Sequence, residues 1–128
     1  MLIRVVEDDD MVSLMVCRVL ELDGHTAIPT TNHFPALFDT ALWEGVDAVM
    51  CDQMLHCSDA DTRGTEILAW LREHVPSVRR ILFTAIGPYI DEHDLRCAQV
   101  VLLKPAGRQA ILDSLVTPLS AAGPVVFR

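Results

Sequence analysis

Four short apolar runs recur along the chain, and each ends in a polar group. Leu2-Ile3-Arg4-Val5-Val6 runs into Glu7-Asp8-Asp9-Asp10, and Val46-Asp47-Ala48-Val49-Met50-Cys51 runs into Asp52. Arg80-Ile81-Leu82-Phe83 ends in Thr84, and Val100-Val101-Leu102-Leu103 ends in Lys104-Pro105. Apolar runs this short, bounded by polar residues, read as buried strands. A weaker strand is predicted over 25–29, with Pro29 at its end, where a missing amide donor is tolerated.

Between these runs the apolar spacing becomes helical. Val12, Met15, Val16, Val19 and Leu20 share one face, and Gly24 offers a C-terminal cap. Phe34, Leu37, Phe38, Ala41 and Leu42 predict a second helix over 34–43. Residues 53–63 are polar and predict a loop. Ile67, Leu68, Leu71 and Val75 mark a third helix, stopped by Pro76. Gly87-Pro88 precedes a short acidic helix at about 89–97, and Ala110, Ile111 and Leu115 stripe the last helix. Pro118, Gly123 and Pro124 place a C-terminal tail at 117–128, outside a core of about 2–116.

Five strands alternating with five helices predict a parallel sheet covered on both faces. Right-handed crossovers leave few arrangements. The α/β flavodoxin-like (βα)5 sandwich, with a five-stranded parallel sheet in order 2-1-3-4-5, sets strands one and three side by side at the topological switch point. Those two strands end in the acid run and in Asp52.

Size and charge narrow the picture. The 128 residues suit one domain, and the 51% hydrophobic content is ample for a core. A net charge of −8 disfavours direct nucleic-acid binding and anionic membrane surfaces. No apolar run approaches the roughly 20 residues of a membrane span, and the first residues enter a strand without a charged leader. A cytoplasmic protein is expected. Cys17, Cys51, Cys57 and Cys97 then read as free thiols. His56-Cys57 and His93 with Cys97 stand at zinc-like spacing, but neither pair has a partner pair.

Gathered carboxylates repel one another and call for a cation. All-oxygen ligands favour Mg2+ or Mn2+. Asp8 and Asp52 are candidate direct ligands, Glu7 a ligand through water, and the main-chain carbonyl of Met54 a further oxygen. Asp52 is then a nucleophile for in-line phosphoryl transfer, with Lys104 pairing one phosphoryl oxygen and the Thr84 hydroxyl bonding another. Each group alone has a plainer reading as a solvated loop, a helix cap or a turn. Four suitable groups at four strand ends, in chain order, carry the inference.

These residues resemble the receiver domain of bacterial two-component response regulators. The matching stretches are Val5 to Asp9, Leu20 to His25, Asp47 to Asp52, Gly64 to Leu68, Phe83-Thr84-Ala85 and Leu103-Lys104-Pro105. The resemblance implies that Asp52 accepts a phosphoryl group from a histidine kinase or histidine phosphotransfer protein. It implies that Glu7 and Asp8 serve Mg2+, with Asp9 as the alternative if the register is off by one. It implies that Thr84 switches toward the phosphoryl group and that Lys104 pairs with it. Such a domain promotes its own phosphorylation and dephosphorylation but is a signalling phosphoprotein and not an enzyme.

Three features depart from the family. The 53–63 loop is long and lacks a compact proline-containing turn. Val101 stands where an aromatic switch residue is usual. The segment after Gly87-Pro88 suggests a reduced fourth helix.

The first expectation is therefore a stand-alone phosphoacceptor in a phosphorelay, or an excerpt of a longer regulator. The alternative is a receiver-like interaction module indifferent to phosphorylation. A magnesium phosphohydrolase would need an acid two residues past its nucleophile, where Met54 stands. A homodimer through the fourth-helix face stays open, as does an interface at Arg108, Gln109 and Asp113.

Overall fold

The computed structural model describes residues 1–56 and 61–127. Its main sheet contains β1 (Leu2–Val6), β2 (Thr26–Thr30), β3 (Ala48–Cys51), β6 (Arg79–Thr84), β7 (Val100–Leu103) and β8 (Val125–Phe127). A small antiparallel pair, β4 (Met54–Leu55) and β5 (Thr62–Arg63), brackets the loop after β3. The helices are α1 (Asp10–Leu22), α2 (Gly64–His74), α3 (Glu92–Leu95) and α4 (Arg108–Ser114). The six-stranded sheet has the order β2-β1-β3-β6-β7-β8, and every neighbouring pair is parallel. Its first five strands follow the flavodoxin-like order.

Alternating strand residues divide the core. Ile3, Val5, Met50, Ile81, Phe83 and Leu102 pack with α1 and α4 on one face. Val6, Val49, Cys51, Leu82 and Val101 pack with α2 and the β2–β3 connection on the other. This is the two-sided burial that makes a parallel sheet read as continuous apolar runs.

In α1 the buried positions are Ser13, Val16, Cys17 and Leu20. That stripe is turned from the predicted one, so Met15 is exposed along with Met11 and Leu14. Gly24 adopts φ +89° just past α1, the left-handed conformation that a glycine accepts without steric cost.

Three elements differ from expectation. The predicted second helix over 34–43 is two short 3-10 turns, Phe34–Leu37 and Thr40–Trp43. His33 at φ 54° and Pro35 begin the first, and the Asp39 carboxylate caps the second. Burial falls on Phe34, Leu37 and Trp43, while Phe38 and Leu42 are exposed. The buried Trp43 indole donates to the Leu37 carbonyl at 2.8 Å.

The segment at 89–97 contains one helical turn, α3, after a 3-10 turn at Gly87–Tyr89. Finally, the tail expected at 117–128 holds a strand. β8 pairs with β7 through Val100–Val125, Val101–Val126 and Leu102–Phe127. The sheet therefore has six strands where five were expected.

Candidate functional site

Parallel pairing brings the carboxyl ends of β1, β3, β6 and β7 to one edge, so the predicted site residues meet there. Asp52 follows β3 directly, and its amide donates to the Val6 carbonyl at 2.9 Å. One ligand oxygen from each of Glu7, Asp8 and Asp52 lies within 4.8 Å of the others. Among the described residues they form the one acid, histidine or cysteine group of that kind. Lys104 reaches across with its Nζ 2.7 Å from Glu7 Oε2 and 3.3 Å from Asp52 Oδ2. The same ammonium lies 5.1 Å from the centre of the Phe83 ring.

Each acid has a distinct setting. Glu7 is only 2% exposed, and its Oε1 accepts from the Asp9 amide at 3.1 Å. Burial pushes its carboxyl up, the Lys104 hydrogen bond pulls it back, and the charge of Asp52 raises it again, to about 7. Burial lowers Lys104, but its bond to Glu7 and the charge of Asp52 carry it above the ordinary lysine value. Asp8 Oδ2 accepts from the His56 amide at 3.1 Å. Asp52 Oδ1 accepts from the Gln53 amide at 2.8 Å.

Asp9 is committed elsewhere. Its Oδ1 caps α1 by accepting from the Met11 and Val12 amides. The run of acids therefore splits by role within one turn: Glu7 and Asp8 face Asp52, and Asp9 begins the helix.

Thr84, at 1% exposure, ends β6. Its Oγ1 accepts from the Ile86 amide at 3.1 Å, which leaves the hydroxyl proton available. Met54 opens β4, two residues past Asp52. An all-oxygen set of three clustered carboxylates fits a hard divalent cation such as Mg2+. Among the described residues, Lys104 is the cation that pairs with Glu7 and Asp52.

Sequence reading passed over the support beneath Asp52. Buried Gln53 forms a reciprocal pair with Thr65, Nε2 to Oγ1 at 3.1 Å and Thr65 amide to Oε1 at 2.8 Å. Gly64 packs so closely that an added Cβ would lie 2.0 Å from the Asp52 carbonyl oxygen. Gln53 offered no signal because its partner lies twelve residues away, across the loop. Gly64 carried a signal, as a glycine opening a helix.

The remaining candidates are dispersed. Cys17, Cys51 and Cys97 are buried free thiols, and Cys57 lies outside the described residues. The Cys97 thiol donates to the Asp94 carbonyl, and burial raises its pKa to about 11. His56 is exposed and bonds Asp61 at 3.0 Å. On α4, Gln109 spends its amide on Asp113. No helix among the described residues is long and apolar enough to cross a membrane.

No protein-family model and no curated protein matches the chain. Solved structures do. The N-terminal domain of a response regulator/sensory box/GGDEF three-domain protein from Carboxydothermus hydrogenoformans aligns with a TM-score of 0.73 at 18% identity, over 90% of both chains. The response regulator TrrA of Thermotoga maritima, in complex with Mg2+-BeF, aligns with a TM-score of 0.73 at 20% identity. That alignment covers 90% of this chain and 98% of the other. A CheY-like receiver domain protein from Methanospirillum hungatei aligns at 0.72 and 21% identity, over 89% of each chain. The chain has the fold of response-regulator receiver domains.

Proposed function

We propose that this chain, folded as a receiver domain, is a cytoplasmic phosphoacceptor of a two-component phosphorelay. Asp52 takes a phosphoryl group from a histidine kinase or histidine phosphotransfer protein, and the domain signals by protein–protein contact. The observation that supports this best is the meeting of Glu7, Asp8 and Asp52 within 4.8 Å beside Lys104.

Glu7, Asp8, Asp52 and the Met54 carbonyl would hold Mg2+, which neutralises the acids and takes charge from the transferring group. An Asp52 carboxylate oxygen attacks phosphorus in line, the O–P bond forms, and the P–N bond to the donor imidazole breaks with its electron pair. The Gln53 amide orients Asp52 through Oδ1. Lys104 sits close enough to move from Asp52 Oδ2 to a phosphoryl oxygen. Thr84 has a hydroxyl proton to donate to another. Water then hydrolyses the acyl phosphate at phosphorus, returning the carboxylate.

A second reading, an interaction module indifferent to phosphorylation, is favoured by Val101. It is 2% exposed within β7, and no ring occupies its place to swing between positions. Intact-protein mass after incubation with a small-molecule phosphoryl donor and Mg2+ separates the two. The wild type is expected to gain one phosphoryl group, and Asp52→Asn or a chelated sample none. Confirmed Mg2+ binding without any gain in mass would count for the second reading.

A further inference from the structure

The edge of the sheet opposite the acid cluster holds a second polar cavity, of about 460 Å3. It lies at the amino ends of β6 and β7 and is lined by Arg80, Arg96, Ala98, Gln99, Ser120 and Gly123, among others. β8 creates it. The Val125 amide bonds the Gln99 carbonyl at 3.0 Å, and this pairing brings the connection from α4 across as a wall.

Arg80 is the unusual member. It is only 7% exposed, and its Nε donates to the Cys97 carbonyl at 2.8 Å. That bond accounts for its structural role, tying β6 to the segment after α3. Its two terminal nitrogens make no hydrogen bond among the described residues, and no carboxylate there pairs with it. Burial lowers its pKa, and the charge of Arg72 lowers it further. Its terminal nitrogens are not sealed from solvent, so they stand as unpaired donors open to an anion in the adjoining cavity.

The other lining groups are donors too. Arg96 has no ion pair among the described residues. Gln99 spends its Oε1 on the Arg80 amide at 2.9 Å, leaving its Nε2 hydrogens for the cavity. Ser120 Oγ accepts from the Ala122 amide and keeps its own proton. No acidic side chain lines the space, although the chain carries a net charge of −8. Guanidinium forks match phosphate oxygens in bidentate fashion, and the volume falls within the roughly 300–1,000 Å3 of small-ligand sites.

We propose that this cavity binds a small phosphate-bearing molecule, with Arg80 and Arg96 on the phosphate and Gln99 and Ser120 on an adjacent polar group. The site is separate from the proposed phosphoacceptor and does not depend on it.

The test is a titration followed by amide and side-chain NMR shifts, with a chelator present to keep divalent metal from the acid cluster. One arm uses a nucleoside monophosphate and the other inorganic phosphate. Saturable shifts at the Gln99 side-chain amide and at residues 120–123 are expected. Arg96→Glu, an exposed substitution whose folding the same spectrum verifies, is expected to weaken binding about tenfold or more by losing charge-assisted bonds. Tighter binding of the nucleotide identifies a phosphate ester as the ligand class, and equal binding identifies free phosphate. Absence of saturable shifts at this end with either probe, or unchanged binding in Arg96→Glu, would overturn the proposal.

Discussion

Glu7 is a carboxyl group that the fold holds against its own ionisation. Its pKa rises from 4.5 to about 7, mainly because β1 buries it. A raised pKa favours the folded state while the group is protonated. That contribution is complete below about pH 4.5 and is lost as pH climbs through about 7. In the presence of a chelator, the wild-type Tm should therefore fall across this window by more than that of Glu7→Gln. The glutamine keeps the shape and cannot ionise. Equal slopes in the two proteins would show that Glu7 is not strained by ionisation. The same burial explains why sequence alone could name Glu7 but not assign it a charge state. The letters Glu-Asp-Asp-Asp are alike in kind, and only the β1 register separates a buried acid from the Asp9 helix cap.

Elements, unlike residues, were legible where pattern and packing agreed. The apolar runs of β1, β3, β6 and β7 are short, uninterrupted and buried on both faces, so their ends delivered the site residues to one edge. Residues 34–43 misled because Phe34, Leu37, Phe38 and Leu42 are spaced as a helix. Phe34 and Leu37 do enter the core, but Trp43 joins them in place of Phe38 and Leu42, and Pro35 with the Asp39 cap breaks the run into two turns. Val125-Val126-Phe127 after Gly123-Pro124 carries a real strand signal. The two punctuating residues nevertheless read as the end of the fold, because a sixth parallel strand has no counterpart in the expected (βα)5 pattern.

The α2 start yields a prediction at this scale. Gly64 lets the helix begin against the Asp52 carbonyl, and a Cβ there meets main-chain atoms that cannot swing aside, at 2.0 Å and 2.9 Å. Gly64→Ala should cost about 2 kcal/mol in chemical denaturation, in the range of overpacked sites. It should also slow phosphorylation of Asp52 by displacing its main chain. Wild-type stability and rate in Gly64→Ala would mean that the contact relaxes without cost.

Across the whole molecule, gathered acids work against the fold. A chain at net charge −8 places Glu7, Asp8 and Asp52 together, and Lys104 pairs with Glu7 and Asp52. Among the described residues Asp8 adds charge without an ion pair, and the hydrogen bond it accepts there comes from the His56 amide. Asn at this position retains an oxygen acceptor for that amide and removes the charge. Without metal, Asp8→Asn should therefore be more stable than wild type, with a Tm higher by a few degrees, as substitutions that relieve functional strain often give. Adding Mg2+ should reverse the ranking. A ligand that binds only the folded state stabilises it by about 2.7 kcal/mol at a hundred times its Kd, and only the wild type keeps the complete acid set. Thermal melts of both proteins, with chelator and with Mg2+ at matched ionic strength, read this directly. A crossing of the two rankings locates the stabilisation by Mg2+ at the acid cluster, whereas parallel shifts in both proteins would place the cation elsewhere.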